Sequence, residues 1–240
     1  MAGPLEQFEI KPIIAIEIGA LDLSFTNSAA FMVAAVGGSA LFLGLCMSGR
    51  ALVPTRWQSL AEMIYEVVAN MIRDNVGSEG RAYFPFIFTL FVFVLFSNLI
   101  GMVPGSFTTT SHLIVTFALA AAIFVGVTLI GIFRHGLKFL SLFFPHGAPW
   151  WTAFILVPVE LVSYLSRPVS LSVRLFANMT VGHVLLKVIA GFIALLGIFG
   201  ALPFLFLIPL TALEIGIAVL QAYIFTILSC VYLHDALHLH

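Results

Sequence analysis

Charge is what this sequence has least of. Only 9% of its 240 residues are Asp, Glu, Lys or Arg, while 61% are hydrophobic. Ordinary globular domains carry about a quarter charged residues, so the shortage excludes a solvated globular domain and points to an integral membrane protein. The net charge is −1 and no basic tract appears, so nucleic acid is not an expected partner. Cysteine is nearly absent: Cys46 and Cys230 sit far apart in apolar segments and read as buried small hydrophobes, not as a disulfide or metal pair. The start sets Glu6, Glu9, Glu17 and Asp22 against Lys11, with no basic n-region, so no cleaved signal peptide is expected. No internal repeat supports the inverted-repeat design of many carriers. Of seven histidines only His183 lies deep in an apolar tract, which argues against bis-histidine haem. Neither a cofactor nor a metal is expected.

Long apolar runs take the place of charge. Residues 1–28 read as an N-terminal extracytoplasmic segment and 29–240 as one integral membrane domain. Spans are expected at 29–48, 83–103 and 112–133, each near the ~20 residues a crossing helix needs. Between the first two, 56–75 differs in kind. Trp57, Leu60, Ala61, Ile64, Val67, Val68, Met71 and Ile72 recur at helical spacing, with Gln58, Glu62, Glu66, Asn70 and Arg73 between them. That pattern fits a helix lying on the membrane surface, the alternative being a helix packed on a soluble partner. Glu62, Glu66 and Arg73 are then a solvated face. Turns are expected at Pro104-Gly105-Ser106 and in a loop through Pro145, Gly147 and Pro149.

The last two tracts, 150–197 and 201–233, exceed the length of a perpendicular span. The first is either two spans with a tight turn or one long tilted helix, with Pro158 and Pro168 as bends. The fold class is therefore all-α: about five membrane-embedded helices plus one amphipathic interfacial helix, the last two forming a long tilted hairpin. A polar tail from His234 follows. Arg50, Arg56, Arg73 and Arg81 fall after the first span, and Arg134 and Lys138 after the third, while the turns near Pro104 and Gly200 lack Lys and Arg. The positive-inside rule then puts the N-terminus outside and the C-terminus in the cytoplasm.

The chemistry lies in the few polar residues of these tracts. Arg174 cannot shed its charge, and a guanidinium at membrane depth costs roughly 3 kcal/mol on insertion scales, so it needs a partner or a water path. Glu160, Arg167 and Arg174 are spaced by seven and share a stripe, which must face protein or water. Glu160 lies about 21 Å from Arg174 along a helix and His183 about 13 Å away in the other direction. Titratable groups thus flank a fixed positive charge, an order that suits two proton paths separated by a cationic barrier. Glu214 and Gln221, also seven apart, would let Gln221 approach Arg174 and Glu214 approach His183 if the two tracts pair antiparallel. Arg167, before Pro168, is expected to snorkel or to pair with Glu160. Asn98 and Asn178 fit interhelical glue or a hydrated path equally. Gly191, Gly197 and Gly200 are expected to permit close helix contact.

The motif Ser170-Leu-Ser-Val-Arg174-Leu-Phe-Ala-Asn178-Met-Thr-Val-Gly182-His183, followed by Glu214 and Leu220-Gln221-Ala-Tyr-Ile-Phe225-Thr226, closely resembles subunit a of the F-type ATP synthase membrane sector. Asn98-Leu-Ile-Gly-Met-Val-Pro104 adds to the likeness, which is strongest from Pro158 to His234. The resemblance implies a non-catalytic, proton-translocating stator subunit with no nucleotide site, in a bacterial inner membrane or an equivalent energy-transducing membrane. Its partners would be a rotating ring of c subunits, b-type peripheral-stalk subunits, the rest of the complex, the bilayer and the transported H⁺. Arg174 would be the essential stator arginine between two offset half-channels. His183, Glu214, Asn178 and Gln221 would line or border the outer one, with Asn98 nearby, and Glu160 the cytoplasmic one. The chain departs from many bacterial members at Ala177, where they have Gly, and at Gly101, where they have an acid. Some also carry Glu and His in the opposite arrangement to His183 and Glu214. In these respects it is similar to the mitochondrial and alphaproteobacterial style.

Overall fold

Thr26 and Thr55 are where the chain first turns helical. The Thr26 hydroxyl accepts from the Ala29 amide at 3.3 Å and opens α1 (Asn27–Met47); the Thr55 hydroxyl accepts from the Gln58 amide at 3.4 Å and opens α2 (Arg56–Asn75). Each supplies an oxygen to an amide that the first helical turn leaves bare. Pro85, in the first turn of α3 (Phe84–Gly101), sits where its missing N–H costs nothing. Then come α4 (Leu113–His135), α5 (Ala153–Leu196) and α6 (Ala201–Leu237). This is a computed structural model, and it describes residues 9–15, 17, 18, 21, 22, 24–48, 54–103, 106–136, 138, 139 and 150–238. Glu6, Arg50, the turn at Pro104–Gly105, the loop through Pro145, Gly147 and Pro149, and the tail beyond His238 lie outside the described residues.

The all-α membrane class is what the chain adopts, with five helices long and apolar enough to cross a bilayer. The tract expected at 150–197 is one helix of 44 residues, continuous through Pro158 and Pro168, and α6 is likewise continuous through Pro209. Each proline removes one backbone donor, a loss a long helix tolerates at membrane depth. The turn between α5 and α6, Gly197–Gly200, depends on two glycines. Gly197 has φ +55°, and a Cβ at Gly200 would lie 2.6 Å from the Ile193 carbonyl oxygen. These two make the turn and do not serve helix contact as expected, and a Cβ at Gly191 would meet nothing within 4 Å.

The hairpin packs through regularly spaced residues. Tyr164, Pro168, Leu171, Ser172, Leu175, Met179 and His183 form the buried stripe of α5, and Glu214, Ala218, Gln221, Ala222, Phe225 and Thr226 continue that of α6 at spacings of three and four. α6 is the hub, touching α2, α3, α4 and α5, while α1 packs on α3. α2 lays Gln58, Ala61, Val68, Met71 and Ile72 against the bundle and leaves Leu60, Met63 and Val67 exposed beside them. One detail differs from expectation: Gln58 is buried, donating to Glu62 Oε1 at 2.8 Å. Cys46 and Cys230 are free and buried, as composition predicted.

Two further differences concern the ends. The N-terminal segment holds short antiparallel pairs that periodicity did not reveal: β1 (Pro12–Ile14) with β4 (Phe25–Thr26), and β2 (Glu17–Ile18) with β3 (Leu21–Asp22). Asn27 ties the outer pair to α1, its amide donating to the Glu9 carbonyl at 3.0 Å. At the other end the polar tail is helical to Leu237, because Leu233, Ala236 and Leu237 are buried there. Ala236 reaches the space above Gly131, and Asp235 finds an ionic partner on α5.

Candidate functional site

Glu160, Arg167, Arg174 and Asn178 fall on one flank of α5, within a narrow arc beside its buried stripe at about 100° per residue. Arg174 and Asn178 are exposed; Glu160 and Arg167 are half-buried. The stripe does not pair with itself. Arg167 is held by Asp235 of α6, Nη1 to Oδ2 at 2.9 Å, with its guanidinium 5.4 Å from the Tyr164 ring centre and 5.3 Å from that of Tyr232. The expected pairing with Glu160 is thus replaced by one across the hairpin. An aspartate on the last turn of α6, between two aromatic faces, offers both charge and stacking, and Arg suits both.

With Arg167 engaged, Arg174 is left as the unpaired cation of the stripe. No hydrogen bond or ion pair holds its guanidinium among the described residues. Its backbone is held instead: Gln221 Nε2 donates to the Arg174 carbonyl at 3.3 Å. The antiparallel hairpin therefore brings Gln221 to residue 174 as its spacing allows, but to the main chain and not to the charge.

On the other side of Arg174, His183 and Glu214 meet inside the bundle, 9% and 4% exposed. His183 Nδ1 lies 3.4 Å from Glu214 Oε1, and the opposite ring nitrogen, Nε2, is 3.0 Å from Thr108 Oγ1. Glu214 has no partner with hydrogen-bond geometry among the described residues, and its ionic contact is with this histidine. The carboxyl group rests on Gly182, where a Cβ would stand 2.7 Å from Oε1 and 3.0 Å from Cδ. Only glycine leaves that seat open.

Beside His183 lies a cavity of about 340 Å³, lined among others by Gly101, Ser106, Lys187, Leu207 and Thr211. That is ample for several waters at about 30 Å³ each, with hydroxyl, imidazole and ammonium groups to hold them. It lies where the end of α3, the last third of α5 and the first third of α6 converge. Asn98 sits deeper, fully buried on α3. Its amide donates to the Ala218 carbonyl at 3.1 Å and so joins α3 to α6, while its own oxygen has no partner among the described residues. Glu160 stands apart on the early part of α5.

Sequence reasoning missed Thr108, Gly182 and the segment that carries Thr108. Residues 107–111 fold back into the bundle and are buried, although they link two spans. Ser111 donates to the Thr108 carbonyl at 2.6 Å, Thr180 of α5 donates to the Ser111 carbonyl at 3.3 Å, and Thr108 donates to the Gly101 carbonyl at 3.2 Å. The signal was the run Thr108-Thr-Thr-Ser111: four hydroxyls in a membrane protein's connection can satisfy backbone groups internally. Gly101 is small for the same reason, since a Cβ there would stand 2.7 Å from Thr108 Cγ2.

Comparison with known proteins gives these features a common frame. Residues 29–234 match the family described as ATP synthase A chain. The chain is 62% identical over 247 residues to ATP synthase subunit a of Paramagnetospirillum magneticum, with all of both chains covered. It is 58% identical to that of Rhodospirillum rubrum, again with both chains fully covered. To the Sinorhizobium medicae protein of the same name it is 52% identical, covering 98% of this chain and 97% of the other. With five apolar spans, a match running from the first to the last of them, and alphaproteobacterial relatives alike from end to end, this integral multi-pass membrane protein belongs to the ATP synthase subunit a family.

Proposed function

We propose that this chain is the stationary half of the proton path in a rotary ATP synthase of a bacterial inner membrane, with its N-terminus outside and its C-terminus in the cytoplasm. The observation that carries the reading is Arg174: a permanent cation at membrane depth, its backbone anchored by Gln221, its guanidinium exposed and without a partner among the described residues of its own chain. Such a group is expensive unless an anion or water meets it from outside. A carboxylate carried past by a rotating ring of c subunits is an anion of that kind.

Protons enter from the outer side through the cavity at Gly101, Ser106 and Thr211 and reach the His183–Glu214 pair. Imidazole and carboxyl side by side can accept and release one proton between them, and Thr108 orients the ring through Nε2. Asn178, one turn from Arg174 on the exposed flank, borders the exit toward the ring. Gln221 borders it too, and Asn98 lies behind it in the α3–α6 contact. A ring carboxylate that takes the proton becomes neutral and can enter lipid; ionised, it could not. After nearly a full rotation it meets Arg174. An opposite charge within about 4–6 Å favours the ionised carboxylate, so the proton leaves toward Glu160 and the cytoplasm. The fixed cation also repels protons that would otherwise run directly between the two half-channels. The membrane potential contributes about 2.3 kcal/mol per charge per 100 mV. The chain itself carries out no nucleotide chemistry. The peripheral stalk, of b-type subunits, and the α2 side of the protein resist the rotation.

The test is Arg174→Ala in the assembled complex, followed in vesicles by ATP-driven proton pumping and by passive proton leak. Loss of pumping with the complex intact and leak increased is expected. Unchanged coupled pumping would leave Arg174 a structural residue and overturn the reading.

A further inference from the structure

Far from that path, a groove of about 680 Å³ runs between the second half of α2 and the beginning of α3. Its lining is of two kinds. Arg73, Arg81, Asn70 and Ser78 are polar, and Tyr65 and Phe84 are aromatic. The aromatic side continues as a cluster: the Tyr65 ring centre is 4.8 Å from that of Phe84 and 6.3 Å from that of Phe88, and Phe84 stacks on Phe88 at 5.5 Å. Phe84 and Phe88 belong to a membrane span, so this side leads from the surface into the hydrocarbon layer.

The two arginines are uncompensated. Both are exposed, and neither has a hydrogen bond or ion pair among the described residues. Glu79, the acid nearest Arg81 in sequence, is already engaged by Arg134 of α4. Two free guanidiniums in one groove suit the oxygens of a phosphate, which Arg can grip with paired N–H groups. Inorganic phosphate would satisfy them but leave the aromatic wall and most of the volume unused. A basic pocket between helices, which the proposed orientation places at the cytoplasmic surface, and which is continuous with an apolar wall, has the chemistry of an anionic lipid site.

We propose that this groove binds one anionic phospholipid, its phosphate on Arg73 and Arg81 and an acyl chain along Tyr65, Phe84 and Phe88. The lipid fills the angle between the surface helix and the span and fixes α2 against the bundle.

The test uses the whole complex in phosphatidylcholine vesicles doped with a phosphatidylglycerol photoprobe, with cross-links mapped by peptide. Labelling should fall on the stretch from Tyr65 to Phe88. It should drop about fivefold on losing one arginine and roughly thirtyfold in Arg73→Gln/Arg81→Gln, at about one kcal/mol per basic residue. Arg73→Lys/Arg81→Lys, which keeps the charge and loses the paired N–H grip, should fall between these and the unaltered complex. Equal labelling by a matched phosphatidylcholine probe, or labelling unchanged in the double Gln variant, would overturn the proposal. Displacement by inorganic phosphate at millimolar concentration would reassign the arginines to a free anion. Labelling that appears only after the stalk subunits are stripped away would reassign the groove to a protein partner. Either reassignment sinks the lipid site and leaves the Arg174 reading untouched.

Discussion

Gly182→Ala tests the innermost pair of the site with a single methyl group. The new Cβ would stand 2.7 Å from Glu214 Oε1, 3.0 Å from Cδ and 3.1 Å from Cγ. Ordinary contact begins near 3.4 Å, so the carboxyl end must retreat by about 0.7 Å, and a packed interior charges about 1–3 kcal/mol for such an intrusion. The retreat moves the carboxyl off its seat and out of its 3.4 Å approach to His183 Nδ1. If that cost falls on the proton-passing arrangement, ATP-driven pumping drops between about fivefold and a hundredfold, since each 1.4 kcal/mol is a factor of ten. Glu214→Asp shortens the chain by one methylene and vacates the space the methyl needs. The double variant Gly182→Ala/Glu214→Asp should therefore melt higher than Gly182→Ala alone, a coupling that only neighbours show. Assembly of the complex, followed by its thermal melt, separates lost function from lost protein. Pumping unchanged in Gly182→Ala, or no higher melt in the double variant with both complexes assembled, would refute the seat and the importance of the pair.

The remaining expectations follow the same logic. Gly101→Ala pushes its methyl to 2.7 Å from Thr108 Cγ2 and should weaken pumping through the Thr108–His183 contact; Thr108→Ser, which removes Cγ2 and keeps the hydroxyl, should restore part of it in the same assay. Arg167→Lys keeps the charge against Asp235 but loses the stacking on Tyr164 and Tyr232, and should lower stability by about 0.5–1 kcal/mol in thermal denaturation of the complex. Asp235→Asn should cost a similar amount, and the double variant less than the sum, as expected of direct partners. Gly197→Ala forces φ +55° with ψ −118° on a residue with a Cβ and should cost about 1–3 kcal/mol, seen as a lower melting temperature with pumping per complex retained.

Much of this architecture was legible because hydrocarbon imposes few choices. A chain in lipid must satisfy its backbone internally, so run length translates directly into helices, and the helical spacing of apolar residues in α2 into an amphipathic helix. The antiparallel pairing of α5 and α6 was legible too, since the seven residues from Gln221 back to Glu214 roughly match the nine from Arg174 on to His183. What stayed hidden depends on side-chain partners distant in sequence. Arg167 had Glu160 in its own stripe, and nothing local favoured Asp235, 68 residues on, until the hairpin brought the end of α6 beside it. The burial of residues 107–111 was hidden because hydroxyl-rich connections usually face water, and here the hydroxyls cap backbone carbonyls inside the bundle. The β pairs near the N-terminus are two or three residues long, too short for any period to register.

Gln221 grips residue 174 by its carbonyl and makes no bond to its guanidinium. In mechanical terms the bearing and the contact pad are separate parts. Thrust from a turning rotor would pass into the main chain of α5, then through Gln221 to α6 and its neighbours, without loading the guanidinium's own geometry. In the proposed role the pad would follow a passing charge while its mount stays held. Because the mount is main chain, exchanging the side chain at this one position would leave the Gln221 contact in place.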